Sequence, residues 1–199
     1  MTLNSSRSIR DIIVIGGSAG GLEALMKLLR ALPPDVPAAI GVVLHRSPVL
    51  SSNLSEVIKR SSQLPVVEVN EREPLRAGHV YLAPRDRHLR FDDGILHTSR
   101  DAHQHRFRPA VDPLFVSAAN VHGDRVVGVL LSGGGEDGVP GLVAIKAAGG
   151  LSLVQDPREA TVSMMPINAI LKDDVDGILT VHDLVTALSA LAVGKDWTL

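Results

Sequence analysis

The stretch Ile15-Gly16-Gly17-Ser18-Ala19-Gly20-Gly21 sets a serine among glycines. Gly16-x-Ser18-x-Gly20 has the G-x-S-x-G spacing of a nucleophile elbow, a sharp strand-to-helix turn that lifts a serine hydroxyl clear of a sheet. Two phosphate-binding readings of the same glycines fail. A dinucleotide fingerprint would need glycines at 16, 18 and 21, and its middle glycine lets backbone approach a pyrophosphate. Position 18 is serine, and the acidic ribose ligand due about 20 residues later is replaced by His45. A P-loop requires Gly-Lys-Ser/Thr, which this stretch lacks. A helix beginning near Gly21 would aim backbone N–H groups at a developing oxyanion. The alternative for Ser18 is a plain helix cap.

Val42-Val43-Leu44 end in His45-Arg46-Ser47-Pro48. In a parallel sheet all strand tips share one edge, and ligands bind there. Neighbouring strands lie about 4.8 Å apart, so histidine and serine at adjacent tips come within side-chain reach. Imidazole is the group suited to take a serine proton at neutral pH. A third group should orient that imidazole. Leu130-Leu131-Ser132-Gly133-Gly134-Gly135-Glu136-Asp137-Gly138 offers two carboxylates after another strand, and spacing alone does not choose between Glu136 and Asp137. The chain order Ser, His, Asp differs from the Ser, Asp/Glu, His order of α/β-hydrolases.

The elements that must position these residues follow from periodicity. Short apolar runs at 12–15, 38–44 and 66–69 read as buried parallel strands. Residues 22–33 carry leucines at helical spacing and stop at Pro33-Pro34, and residues 51–62 read as a capped helix. In the middle, segments 79–84, 88–91 and 95–99 read as short strands, with Asp93-Gly94 a hairpin turn. Residues 100–110 read as a loop and 112–121 as a helix. Strand–helix alternation then returns with strands at 126–131 and 151–155 and a closing amphipathic helix at 182–192. The pattern predicts an α/β fold, a doubly wound three-layer α/β/α sandwich with a mostly parallel sheet and an added antiparallel hairpin.

Composition limits the alternatives. The chain has 199 residues, which favours one domain. Apolar residues make up 45% but aromatics only 3%, so aliphatic side chains must fill the core. The net charge of −2, with no basic region interleaved with aromatics, argues against nucleic-acid binding. There is no cysteine, which removes disulfides, thiolate zinc sites and cysteine nucleophiles. The opening residues lack the apolar core of a signal peptide, and no apolar run approaches the roughly 18 residues of a membrane span. A soluble cytoplasmic protein without membrane insertion is expected.

Six blocks together carry a family resemblance: IGGSAGGLEAL, HRSP, HVYLAP, HRFRPAVDPLF, LLSGGGEDGVPGL and QDPREATVSMMPINAI. In order and approximate spacing the chain resembles CheB-type protein-glutamate methylesterase catalytic domains over about residues 10–193. The resemblance implies Ser18 as nucleophile, His45 as base and Asp137, rather than Glu136, as the orienting carboxylate. It implies oxyanion binding by the backbone N–H groups of Ala19 and Gly134, and no cofactor. The implied reaction is hydrolysis of glutamate γ-methyl esters on chemoreceptor cytoplasmic helices, or on another methylated signalling protein, releasing methanol; glutamine deamidation is the related activity. Three positions depart from the family pattern. Ala19 stands where threonine is common, Gly134 where methionine is common, and Phe107 where histidine is frequent. The family's usual N-terminal receiver domain has no counterpart here, so residues 1–199 are expected to be a single stand-alone catalytic domain controlled by a separate regulatory protein. A non-catalytic adaptor that keeps the fold is the alternative.

Residues 85–108 contain six arginines and four histidines against four aspartates. Either a basic rim docks an acidic helix, with Arg106 and Arg108 as substrate contacts, or this is a solvated hairpin face. His97, His103 and His105 match no common metal motif, so no metal is expected. In Met164-Met165-Pro166-Ile167-Asn168-Ala169-Ile170, methionine suits either an irregular cleft, with Met165 touching substrate, or ordinary core.

Overall fold

The computed structural model describes residues 8–45 and 53–197. Strand β1 (Ile12–Gly17) is buried along its whole length. It lies between β2 (Ala39–Leu44) and β8 (Val126–Leu130), parallel to both. The sheet extends beyond β2 through β5 (His79–Leu82) to β3 (Val66–Glu68), and beyond β8 through β9 (Leu151–Gln155) to β10 (Gly177–Leu179). All seven strands are parallel. The winding reverses beside β1, the place where open α/β sheets bind ligands.

Strand alternation divides the core in two. Ile13 and Ile15 face one layer with α1 (Gly21–Ala31), α2 (Leu54–Ser61) and α6 (Val181–Leu191). Ile12 and Val14 face the other, with α3 (Val111–His122), α4 (Val139–Ala147) and α5 (Met164–Lys172). In α1, Ala24, Leu25, Leu28 and Leu29 are buried at helical spacing, and the chain turns extended at Leu32 before Pro33. Truncating one such leucine to alanine typically costs about 2–5 kcal/mol, so this face alone fixes α1 on the sheet.

A second, three-stranded antiparallel sheet covers part of the α3 side. Its strands are β4 (Arg72–Pro74), β7 (Ile95–Ser99) and β6 (His88–Asp92) in that order. The β6–β7 hairpin turns at Asp93-Gly94, with Gly94 at φ +67°. The doubly wound sandwich is therefore as expected, with the hairpin forming its own small sheet. The segment HVYL belongs to the large sheet rather than to the hairpin. Elements β4, β10 and α5 were not legible in the pattern. The two strands have three residues each, and α5 opens with Met-Met-Pro. Pro166 fits there because first-turn N–H groups have no intrahelical acceptor. Ser51 and Ser52, read as part of the α2 cap, lie outside the described residues. Among the described residues no helix is long and apolar enough to cross a membrane.

Candidate active site

Ser18 follows β1 directly. Its N–H donates to the Ser132 carbonyl at 3.0 Å, and its own carbonyl accepts from Gly21 N at 2.9 Å, closing a tight turn into α1. The flanking glycines answer to different constraints. A Cβ on Gly16 would stand 2.4 Å from Val111 Cγ1, so close packing of α3 demands glycine there. Gly20 has φ +78°, and a Cβ on it would stand 2.5 Å from Ser132 Oγ. Gly20 is also the N-cap of α1, and no side chain caps that helix. Ser18 is thus no helix cap. The N–H of Ala19 has no acceptor among the described residues, and neither does that of Gly134.

His45 stands at the adjacent strand tip, its N–H donating to Gly17 O at 3.0 Å. Its Nδ1 lies 3.2 Å from Ser18 Oγ, and its Nε2 lies 2.6 Å from Asp137 Oδ2. The geometry suits the tautomer with its proton on Nε2, directed at the Asp137 carboxylate, and the Nδ1 lone pair directed at the serine hydroxyl. The side chains of His45 and Asp137 are 4% and 1% exposed, which removes competing water from this contact. The following Arg46, Ser47 and Pro48 lie outside the described residues.

The two carboxylates at 136 and 137 part company. Glu136 pairs with Lys172 of α5. Asp137 turns inward and also accepts from Val111 N at 2.7 Å and Asp112 N at 3.0 Å, filling the positive end of α3. Asp112 returns the arrangement to α4. Its Oδ1 accepts from Gly138 N at 3.1 Å and Gly141 N at 2.8 Å. Burial, and next the Asp137 charge beside it, push the Asp112 carboxyl above its ordinary range. Sequence reasoning missed Asp112. An Asp-Pro pair opening a helix was visible as a start signal, but its partner on another helix was not.

Sequence reasoning also missed Ser132, which ties the two turns together. Its Oγ donates to Ala19 O at 2.8 Å and accepts from Val162 N at 2.9 Å. The glycine loop is further held by Met165 N donating to Gly133 O, Gly133 N to Val162 O, and Asn168 Nδ2 to Gly135 O. Met165 is fully buried, its sulfur close under Gly133, so it backs the loop from the core side.

An open cleft of about 520 Å³ borders these groups, lined by His105, Arg106, Phe107, Gly135, Glu136 and Asp137. Arg106 is exposed on its wall. Arg108 is engaged elsewhere, with Nε donating to Asp86 Oδ1 at 2.8 Å and Nη1 to Asp101 O at 3.0 Å. The Phe107 ring stacks on the His45 imidazole with centroids 3.6 Å apart and planes at 10°. His105 Nε2 meets Asp112 Oδ2 at 2.8 Å. Among the described residues, His105, Asp112 and Asp137 have ligand-type atoms within 4.8 Å of one another, and all three are engaged in the hydrogen bonds above; His97 and His103 are not in that group.

Residues 13–188 match the family model described as CheB methylesterase. A protein of Anaeromyxobacter dehalogenans named protein-glutamate methylesterase/protein-glutamine glutaminase 2 is 43% identical over 181 residues, covering 91% of this chain and 53% of its own length. A relative in Leptospira interrogans is 34% identical over 175 residues, 87% of this chain and 91% of its own. The crystal structure of the Thermotoga maritima CheB methylesterase catalytic domain superposes with a TM-score of 0.86 at 31% identity, covering 91% of this chain and 98% of that one. The chain spans about half the length of the Anaeromyxobacter relative and of a similarly named Cupriavidus pinatubonensis protein.

Proposed function

The chain belongs to the CheB methylesterase family, and on that premise we propose that it hydrolyses glutamate γ-methyl esters on a signalling protein, with Ser18 as nucleophile. The observation that carries this reading is His45, whose two ring nitrogens meet Ser18 and Asp137 at once. As Ser18 Oγ attacks the ester carbonyl, its proton passes to His45 Nδ1. Asp137, fixed by two N–H groups of α3, stabilises the imidazolium through Nε2–H. The N–H groups of Ala19 and Gly134 receive the oxyanion. The new Nδ1–H then protonates the departing methoxide, which leaves as methanol, and a glutamyl ester remains on Ser18. Water deprotonated by Nδ1 attacks that ester in turn, and the proton returns to Ser18 as glutamate leaves.

The same steps on a glutamine side chain release ammonia in place of methanol, the activity that the second half of the relatives' name describes. The substrate class is the methylated cytoplasmic helices of chemoreceptors or another methylated signalling protein, met in the cytoplasm, with Arg106 on the cleft wall facing acidic helix residues. Residues 13–188, the part that matches the family model, act as one catalytic domain. The test is methanol release from methylated receptor membranes. Ser18→Ala should lower the rate by roughly 10⁴-fold or more. Release by Ser18→Ala at the wild-type rate would reject the scheme.

A further inference from the structure

The segment before α3 contains a turn built against its own backbone preferences. Gln104 N donates to Phe107 O at 3.1 Å and Phe107 N to Gln104 O at 2.7 Å, closing a two-residue turn. Its central residues, His105 and Arg106, stand at φ +48° and +68°. Such positions usually take glycine or asparagine, and side chains there persist only where the surroundings impose them. The surroundings here do so. His105 is fastened to Asp112 at 2.8 Å, and Arg108 on the other side to Asp86 at 2.8 Å and Asp101 O at 3.0 Å. Between these anchors stands Phe107, flat on the imidazole of His45 at 3.6 Å.

We propose that Phe107, presented by this strained turn, is a positioning residue that holds the His45 imidazole in the one plane where Nδ1 meets Ser18 and Nε2 meets Asp137. The proposal rests on the esterase reading of the site and adds a residue to it. A ring turned about its Cβ–Cγ bond displaces both nitrogens, because they lie on opposite sides of that axis, and it displaces Nδ1 the more. The serine contact, at 3.2 Å, is the looser and the first to fail. A parallel aromatic face opposes such a turn and covers one face of the His45 ring, whose side chain is only 4% exposed although Phe107 itself lines an open cleft. The anchoring also links the turn to the carboxylate. His105 grips Asp112, whose N–H holds Asp137, so the same short segment sets both the plane of the base and the place of its partner.

The experiment compares wild type with Phe107→Ala, Phe107→Leu and Phe107→Tyr in two readouts. The first is methyl-ester hydrolysis. Phe107→Ala and Phe107→Leu should lower kcat at least tenfold with KM changed by less than threefold, and Phe107→Tyr should stay within threefold of wild type in both. The second needs no substrate: the low-field proton resonance of His45 Nε2–H bonded to Asp137. It should be sharp in wild type and Phe107→Tyr and broadened by solvent exchange in the other two. Phe107→Leu keeps an apolar side chain of similar bulk, so it remains informative if Phe107→Ala does not fold. Retention of kcat and of the sharp resonance in Phe107→Leu would overturn the proposal, as would a loss in Phe107→Tyr as deep as in Phe107→Leu. A wild type without esterase activity but with the expected resonance pattern would sink the functional reading and leave the positioning role standing.

Discussion

Two glycine-rich turns meet at this site, and they use glycine differently. From the end of β1 through the turn into α1 every glycine is crowded. Added Cβ atoms would approach neighbours to 2.4 Å at Gly16, 3.0 Å at Gly17, 2.5 Å at Gly20 and 2.9 Å at Gly21. In the turn after β8 only the outer glycines are crowded, with Gly133 2.9 Å from Ser18 Cβ and Gly138 2.6 Å from Leu130 Cδ2. Gly134 and Gly135 face open space. The first turn is a solid mould around one hydroxyl. The second is anchored at its ends and bare in the middle, where Gly134 and Gly135 have empty space beside them. Similar strings of glycine thus mark close packing in one place and access in the other.

Filling the first turn should do the most damage. Gly20→Ala imposes a side chain at φ +78° and a clash with Ser132 Oγ, a backbone penalty of about 1–3 kcal/mol before any packing loss. Both the unfolding midpoint and the hydrolysis rate should drop, the rate by at least tenfold as Ser18 moves. An unaltered rate would break the distinction drawn here. An intermediate effect concerns the anchor of the second turn. Asp112 has its carboxyl raised by burial and by Asp137, so between the ordinary carboxylate value and that raised value the folded protein binds more protons than the unfolded one. Its contribution to stability is complete below about pH 3.8 and is lost as pH rises through the raised value. Asp112→Asn keeps an oxygen acceptor for Gly138 N and Gly141 N but carries no charge. The melting temperature of the Asn variant minus that of wild type should therefore rise with pH from about 4 upward; a flat or falling difference in paired melts would contradict the account. The smallest effect belongs to Gly134→Ala. With no positive φ and nothing within 4 Å of the added carbon, its stability should stay within about 0.5 kcal/mol of wild type in denaturant titration. A loss several times larger would show that the middle of the second turn is as constrained as the first.

Legibility followed the reach of the signals. The strands β1, β2 and β8 announced themselves as short aliphatic runs because both sheet faces are covered, and the tips they share put Ser18 and His45 side by side. Three-residue β4 and β10 carry too little periodicity to read, and α5 hides behind its proline. Phe107 was legible only as a departure from family pattern. Its stacking partner is 62 positions away, and the turn that presents it uses residues ill-suited to positive φ. Arg106 and Arg108 looked alike in sequence, yet one lines the cleft and the other is occupied by Asp86.

By itself the sequence determined the parallel strand–helix alternation, the glycine turn that exposes Ser18, and the placement of His45 at a strand tip. These depend on local periodicity and on the backbone limits of single residues. Spacing left Glu136 and Asp137, two neighbours of equal charge, undecided; the family resemblance pointed to Asp137, and only tertiary structure supplies the physical reason. The choice fell to the one whose carboxylate meets the open N–H groups of α3, while Lys172 draws the other outward. Helix ends and ion pairs that arise between distant segments leave no mark on either residue's immediate neighbours, and so could not be read before the chain was folded.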